Sequence, residues 1–138
     1  MAKYYIDSCT WRDFYEDRRD FMRPLGEWAF RLLKKIIENK DIVLYSDLVV
    51  EELSKDFGEK EIAEIFEIIK SKGLLEKVNI SKEQVSEAIQ LKNKFKIPLK
   101  DAIHAIISRD SYAILVSNDN HFSKLKEIMN VRKPEELI

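Results

Sequence analysis

The sequence predicts an α/β protein of three layers, α/β/α, built on a mainly parallel sheet of four to five strands. Two observations carry this. Short runs of aromatic and β-branched residues alternate along the chain with longer segments whose apolar residues recur at helical spacing. The short runs are apolar throughout, as strands are when helices cover both faces of a parallel sheet. Parallel neighbours also need a connecting element, which the intervening helices supply. Only three glycines and three prolines occur in 138 residues, leaving little room for long loops.

Residues 3–7 begin the sheet: Tyr4, Tyr5 and Ile6 favour a buried strand, and Asp7 closes it. From Trp11 to about Asn39 a pair of helices follows. Phe14, Phe21, Trp28, Leu32, Leu33, Ile36 and Ile37 form its inward face, and Pro24 starts the second helix. Residues 41–45 are the second strand; Ser46 and Asp47, both good N-caps, then open a helix through Leu53. Gly58 interrupts the pattern. Ile62, Ile65, Phe66 and Ile69 line the next helix, which ends near Lys72 and Gly73. Leu74 to Ile80 gives the third strand. Ser81 to Gln84 fits a capping box, opening a helix with Val85, Ala88, Ile89 and Leu91 on its apolar face. After Pro98 a small-residue helix covers 99–109, and Tyr112 to Val116 is the fourth strand. A last helix is expected from about His121 to Met129, with a short edge element between Val131 and Ile138.

The length suits one domain over residues 1–138 with a sizeable core. Charged residues make up 36% of the chain but cancel to a net charge of -1, so no global basic field marks a nucleic-acid binder. The single cysteine, Cys9, excludes an internal disulfide, and no Cys/His spacing suits zinc. No leader pattern or long apolar span appears, so a soluble cytoplasmic protein without membrane contact is expected.

Chemistry is concentrated in the acids. Asp7 closes the first strand, Glu51 and Glu52 follow the second, and Asp119 comes three residues after the fourth. These ends share one edge of a parallel sheet. Asp101 opens the helix leading into the fourth strand, which in a right-handed crossover begins at that same edge. In open α/β sheets the functional crevice lies there. Carboxylates crowded into one cleft repel, and a divalent cation relieves the repulsion. Mg²⁺ and Mn²⁺ prefer such oxygen ligands and bridge them to phosphates, which points to phosphodiester hydrolysis. Because 25 residues are Asp or Glu, most are ordinary surface: Asp47 reads as an N-cap, Asp41 as a turn residue and Asp110 as a helix end. Asp7, at the end of a buried strand, must meet water, a partner or a metal.

Four segments resemble the PIN-domain family, and within it the VapC ribonuclease toxins of VapBC toxin-antitoxin pairs. They are residues 5–8 (YIDS), 46–53 (SDLVVEEL), 97–105 (IPLKDAIHA) and 115–122 (LVSNDNHF), and residues 131–137 (VRKPEEL) resemble the closing segment. The resemblance implies a twisted PIN-like sheet and a Mg²⁺- or Mn²⁺-dependent endoribonuclease acting on single-stranded RNA. It also implies a homodimer and, for a toxin, a small antitoxin protein as partner. Asp7, Glu52, Asp101 and Asp119 are the implied catalytic and metal-site acids, Glu52 being preferred to Glu51 because Leu53 follows it. Ser8, Ser117 and Asn118 are expected to orient them. Two departures stand out: Ser117 replaces the usual Thr but keeps its hydroxyl, and His121 stands where an acid often precedes the final Phe.

Neighbouring groups have plainer readings. His104 shares a helix face with Asp101, but packing or a cap explains it more simply than substrate contact. Lys100, Arg12, Arg18 and Arg19 could meet RNA phosphates, although a solvated role suits each on so charged a surface. The stripe of Phe57, Ile62, Ile65, Phe66 and Ile69 reads as core before dimer or antitoxin groove. Rival readings are a ribosomal-RNA processing or quality-control nuclease, and a PIN-fold binding module without turnover. A phosphoacceptor domain lacks its paired acid and Lys, and a P-loop lacks its Gly-rich sequence.

Overall fold

Five short strands, β1 (Lys3–Ile6), β2 (Ile42–Tyr45), β3 (Leu75–Lys77), β4 (Ile114–Val116) and β5 (Val131–Arg132), form one parallel sheet in the order β3-β2-β1-β4-β5. The computed structural model describes residues 1–138. Register is set by pairs such as Tyr5 with Leu44 on one side and Leu115 on the other. All four of Tyr5, Val43, Leu44 and Leu115 are buried, as continuous apolar strands between two helical layers should be.

Six α-helices cover the sheet. Helices α1 (Ser8–Glu16), α2 (Leu25–Asn39), α3 (Asp47–Leu53) and α4 (Glu59–Lys70) pack with one another, whereas α5 (Lys82–Phe95) and α6 (Leu99–Asp110) pair separately, α6 against β4. The chain steps from β1 to β2 to β3 in one direction and then crosses back to β4 on the far side of β1. Right-handed crossovers therefore put the first four helices on one face and the last two on the other. The direction of winding reverses between β1 and β4, which makes the carboxyl ends of those two strands the switch point.

The core is one cluster of 27 buried residues. Trp11, fully buried, meets Phe66 edge-on at 4.9 Å between ring centroids, and Phe66 also lies against Tyr45. Ile62, Ile65, Phe66 and Ile69 all face this core and Phe57 is half-buried, so the α4 stripe is interior rather than groove. Where α1 meets α2, Gly26 is required: a Cβ there would lie 2.5 Å from the Asp17 Cα.

Several boundaries differ from those the sequence suggests. Phe21 is not on the inward face; it is 97% exposed, with φ of 54°, at the tip of a two-residue turn closed between Asp20 and Arg23. Pro24 caps α2 from outside, and α1 starts at Ser8 with Asp7 as its N-cap. Ser46 is the N-cap of α3, leaving Asp47 free to pair with Lys77. Strand β3 is short because it is an edge strand paired to β2 alone. Residues 112–113 are outside β4, since Tyr112 adopts a left-handed conformation. The final helix is instead a 3-10 helix over Asn120–Leu125, whose buried residues Phe122 and Leu125 stand three apart. Ile89 of α5 is largely exposed, and Ala88 alone is buried on that helix. The Ser81 capping box forms with both of its bonds, at 3.1 and 2.9 Å. No helix is long and apolar enough to cross a membrane.

Candidate active site

At the switch point β1 delivers Asp7, whose backbone N–H donates to the Val116 carbonyl at 3.0 Å and so extends the sheet by one bond. The side chain is 5% exposed and cannot rely on bulk water. It is held from several sides: Ser117 Oγ donates to Oδ2 at 2.7 Å, Cys9 Sγ to the same oxygen at 3.2 Å, and Ser8 Oγ to Oδ1 at 3.4 Å. Ser117 in turn accepts the Asp119 backbone N–H at 3.0 Å. One hydroxyl thus ties the end of β1 to the loop after β4.

Glu52, the sixth residue of α3, reaches the same place. Its Oε1 accepts from Ser8 Oγ at 3.2 Å and from His104 Nε2 at 2.7 Å. Glu51 is exposed and points elsewhere, as neighbours on a helix must. Asp101 and Asp119 form a second group: His121 Nδ1 lies 2.9 Å from Asp101 Oδ2 and 3.1 Å from Asp119 Oδ1. Ligand atoms of Asp7, Glu52 and His104 lie within 4.8 Å of one another, and so do those of Asp101, Asp119 and His121.

The charges in this crevice are under strain. Burial pushes the Asp101 carboxyl above its ordinary range and the charges of Asp119 and Asp7 push it further, against the hydrogen bond from His121. Burial also acts to raise Glu52, but the hydrogen bond and charge of His104, helped by Ser8 and Lys100, hold it below the usual carboxylate range. For His104, burial disfavours the cation, yet the Glu52 bond and the charge of Asp7 bring its basicity above the ordinary value. Burial and Asp7 push the Cys9 thiol far up, so it is no nucleophile.

A family model for the PIN domain matches residues 4–128. The chain belongs to the PIN-domain family. Members of this family are generally nucleases dependent on a divalent metal. Among solved structures, this PIN domain is similar to a chain of VapBC2 from Rickettsia felis bound to a promoter DNA fragment, with a TM-score of 0.69 and 16% identity, covering 95% of this chain and 98% of that one. A toxin-antitoxin complex from Klebsiella pneumoniae is similar at a TM-score of 0.67 and 17% identity, covering 97% and 98%. PAE2754 from Pyrobaculum aerophilum gives 0.61 and 14%, covering 99% and 86%. No curated protein sequence matches it.

In this PIN domain the orienting residues singled out by sequence do not all converge. Ser8 and Ser117 touch the acids directly, whereas Asn118 turns away and donates to buried Asp13 at 3.2 Å. Arg12 is paired with Asp56 and Arg18 with Glu16, so neither is a free phosphate contact. Lys100 stands near Glu51 and Glu52 without an ion-pair partner. His104 and His121 are the residues whose contribution sequence reasoning undervalued. The signal available was position: His104 lies three residues after Asp101, one turn along the same helix, and His121 two residues after Asp119.

Proposed function

We propose that this chain, as a single PIN-like domain, is an endoribonuclease that hydrolyses phosphodiester bonds of single-stranded RNA with Mg²⁺ or Mn²⁺, as a VapC-like toxin. The observation that carries the reading is a pair of ligand groups at the switch point, Asp7 with Glu52 and Asp101 with Asp119, near enough for the charge of Asp7 to act on Asp101. Four carboxylates are a donor set suited to a hard divalent cation, and Glu52 Oε2 receives no hydrogen bond from the protein. When bound, such an ion supplies charge reversal for an incoming polyanion, acidification of water and stabilisation of charge on phosphorus.

The side chains have separable tasks in this mechanism. Asp7, pinned on Oδ2 by Ser117 and Cys9, is the fixed anchor, while the single Ser8 hydroxyl proton is shared between Asp7 Oδ1 and Glu52 Oε1. Asp101 and Asp119 would supply further ligands to the ion, with His121 Nδ1 close to both carboxylates. Glu52, whose Oε2 accepts no hydrogen bond from the protein, would use that oxygen to hold the cation or a water beside it. Attack is in line, and no covalent enzyme intermediate is required. A cleft of about 110 Å³ beside Ser117 and Asp119, in which Arg132 is paired with Glu136, is lined also by Lys126 and Lys133, which offer cations for flanking phosphates. Lys100 offers another on the Glu52 side.

The toxin reading draws on the toxin-antitoxin complexes among the similar structures. It carries with it a small antitoxin protein as inhibitor, a homodimer and a cytoplasmic location. The test is cleavage of a labelled single-stranded RNA in Mg²⁺ or Mn²⁺, with EDTA and Asp101→Asn as controls. Cleavage lost in both controls supports the mechanism; no cleavage by the unaltered protein in either metal across several RNAs overturns it.

A further inference from the structure

We infer that His104 is a positioning residue that acts through Glu52, locked in place by a buried hydroxyl relay from Ser46 and Tyr5. This rests on the reading of Glu52 as a working carboxylate. Ser46 Oγ lies 2.7 Å from Tyr5 OH, Tyr5 OH 2.7 Å from His104 Nδ1, and His104 Nε2 2.7 Å from Glu52 Oε1. Ser46, Tyr5 and His104 are all 0% exposed. The relay runs from Ser46, at the junction of β2 and α3, through Tyr5 of β1 and His104 of α6 to Glu52 on α3, so residues distant in sequence fix one carboxylate oxygen.

Polar side chains buried this deeply must pair, and the chemistry of the relay allows one proton arrangement at its functional end. A carboxylate only accepts, so Nε2 carries the proton that faces Glu52. Tyr5 serves either charge state of the ring. It donates to Nδ1 of the neutral imidazole while accepting from Ser46, or it accepts from Nδ1–H of the cation while donating to Ser46. Both ring nitrogens are thereby committed, so His104 is not available as a metal ligand although it lies within 4.8 Å of Asp7 and Glu52 ligand atoms. Its donor converges with Ser8 on Oε1, which leaves Oε2 of Glu52 without a protein donor. Support of this kind typically changes metal affinity or activity 10- to 100-fold when removed, by the order of magnitude seen in metal sites generally.

Amide replacements separate positioning from packing. In His104→Gln the amide N–H₂ reaches the place of Nε2 and can still donate to Glu52. In His104→Asn the amide reaches only the place of Nδ1 and loses Glu52. Titration with Mn²⁺ alone should leave the Gln variant within roughly 3-fold of the unaltered protein and weaken the Asn variant by about 10-fold, with RNA cleavage falling in the same order. In a Glu52→Ala background, His104→Asn should add little further loss, because the two act as one unit. Because the chain has two histidines, nitrogen NMR of the metal-free protein reads the ring directly, and His104 should carry its proton on Nε2. If His104→Asn fails to fold, Tyr5→Phe keeps the ring and removes the relay, and the same Mn²⁺ titration applies. Asn and Gln variants equal to the unaltered protein, a full additive loss with Glu52→Ala, or a proton on Nδ1 alone would each overturn the inference. An unaltered protein that neither binds Mn²⁺ nor cleaves RNA would instead overturn the proposed function, leaving the NMR result to decide the relay by itself.

Discussion

Replacing Asp101 by Asn should stabilise the metal-free protein at neutral pH while abolishing cleavage. Asp101 and Asp119 ligand atoms lie within 4.8 Å of each other. Two unit charges at that distance repel by about 3 kcal/mol at an effective dielectric of about 20. Two terms oppose the gain. The charge-assisted bond from His121 weakens by about 1 kcal/mol, and an acid in the first turn of α6 loses about 0.5 kcal/mol of favourable interaction with the helix dipole. With screening by water at the open side of the crevice, the net gain is about 1 kcal/mol, or roughly 3 °C in Tm for a chain of this length. The pH dependence has a fixed sign. Because the folded carboxyl is raised above its unfolded value, its ionisation costs stability as pH rises through the raised range, and the cost is absent below the unfolded value of about 3.9. The two proteins should therefore differ at pH 7 in EDTA and converge near pH 3. Mn²⁺ should raise the Tm of the unaltered protein more than that of the variant. Thermal melts followed by circular dichroism decide the matter: a lower Tm for Asp101→Asn in EDTA at pH 7 would mean that Asp101 is a helix-stabilising acid and that the crowding argument is wrong.

Three further outcomes are expected. Gly26→Ala should lose about 2 kcal/mol in a urea melt, because the new Cβ meets the Asp17 backbone, whereas helix propensity alone predicts a gain of about 1 kcal/mol. Ser117→Ala should cost about 2 kcal/mol by removing the donor to Asp7 and the acceptor for the Asp119 N–H, with Ser117→Thr recovering most of it in the same denaturation assay. His121→Asp should shift metal preference from Mn²⁺ towards Mg²⁺ in RNA cleavage, since it exchanges an imidazole for a carboxylate, and should lower metal-free stability by about 1 kcal/mol through a third crowded charge. A variant with an unchanged metal ratio would remove His121 from the ligand set.

The strands and most helices were legible because their information is local. Apolar runs such as Ile42 to Leu44 and the spacing of Ile62, Ile65, Phe66 and Ile69 reflect burial on a fixed period, and the Ser81 capping box satisfies its own helix end. Alternation of these elements was enough to specify a parallel sheet and to send Asp7, Glu52, Asp101 and Asp119 towards one edge. The misread segments lack that local signal. Phe21 has the spacing of a core residue, but the turn between Asp20 and Arg23 carries it outward; and the segment after Asp119 has an apolar period of three that a helical reading absorbs.

What the sequence determined by itself was therefore the inventory: which segments alternate as strand and helix, which of their residues form the main apolar stripes, and which acids stand near strand ends. Tertiary structure alone decided which hydroxyl or imidazole each acid meets. Tyr5 is in β1, His104 in α6, Ser46 at the N-cap of α3 and Glu52 within that helix; adjacent partners in the relay are up to 99 residues apart, and nothing in their local spacing requires them to touch. Their contact follows from sheet order: placing β1 between β2 and β4 brings α3 and α6 to the same end, where buried polar groups must pair with whatever packing has put beside them.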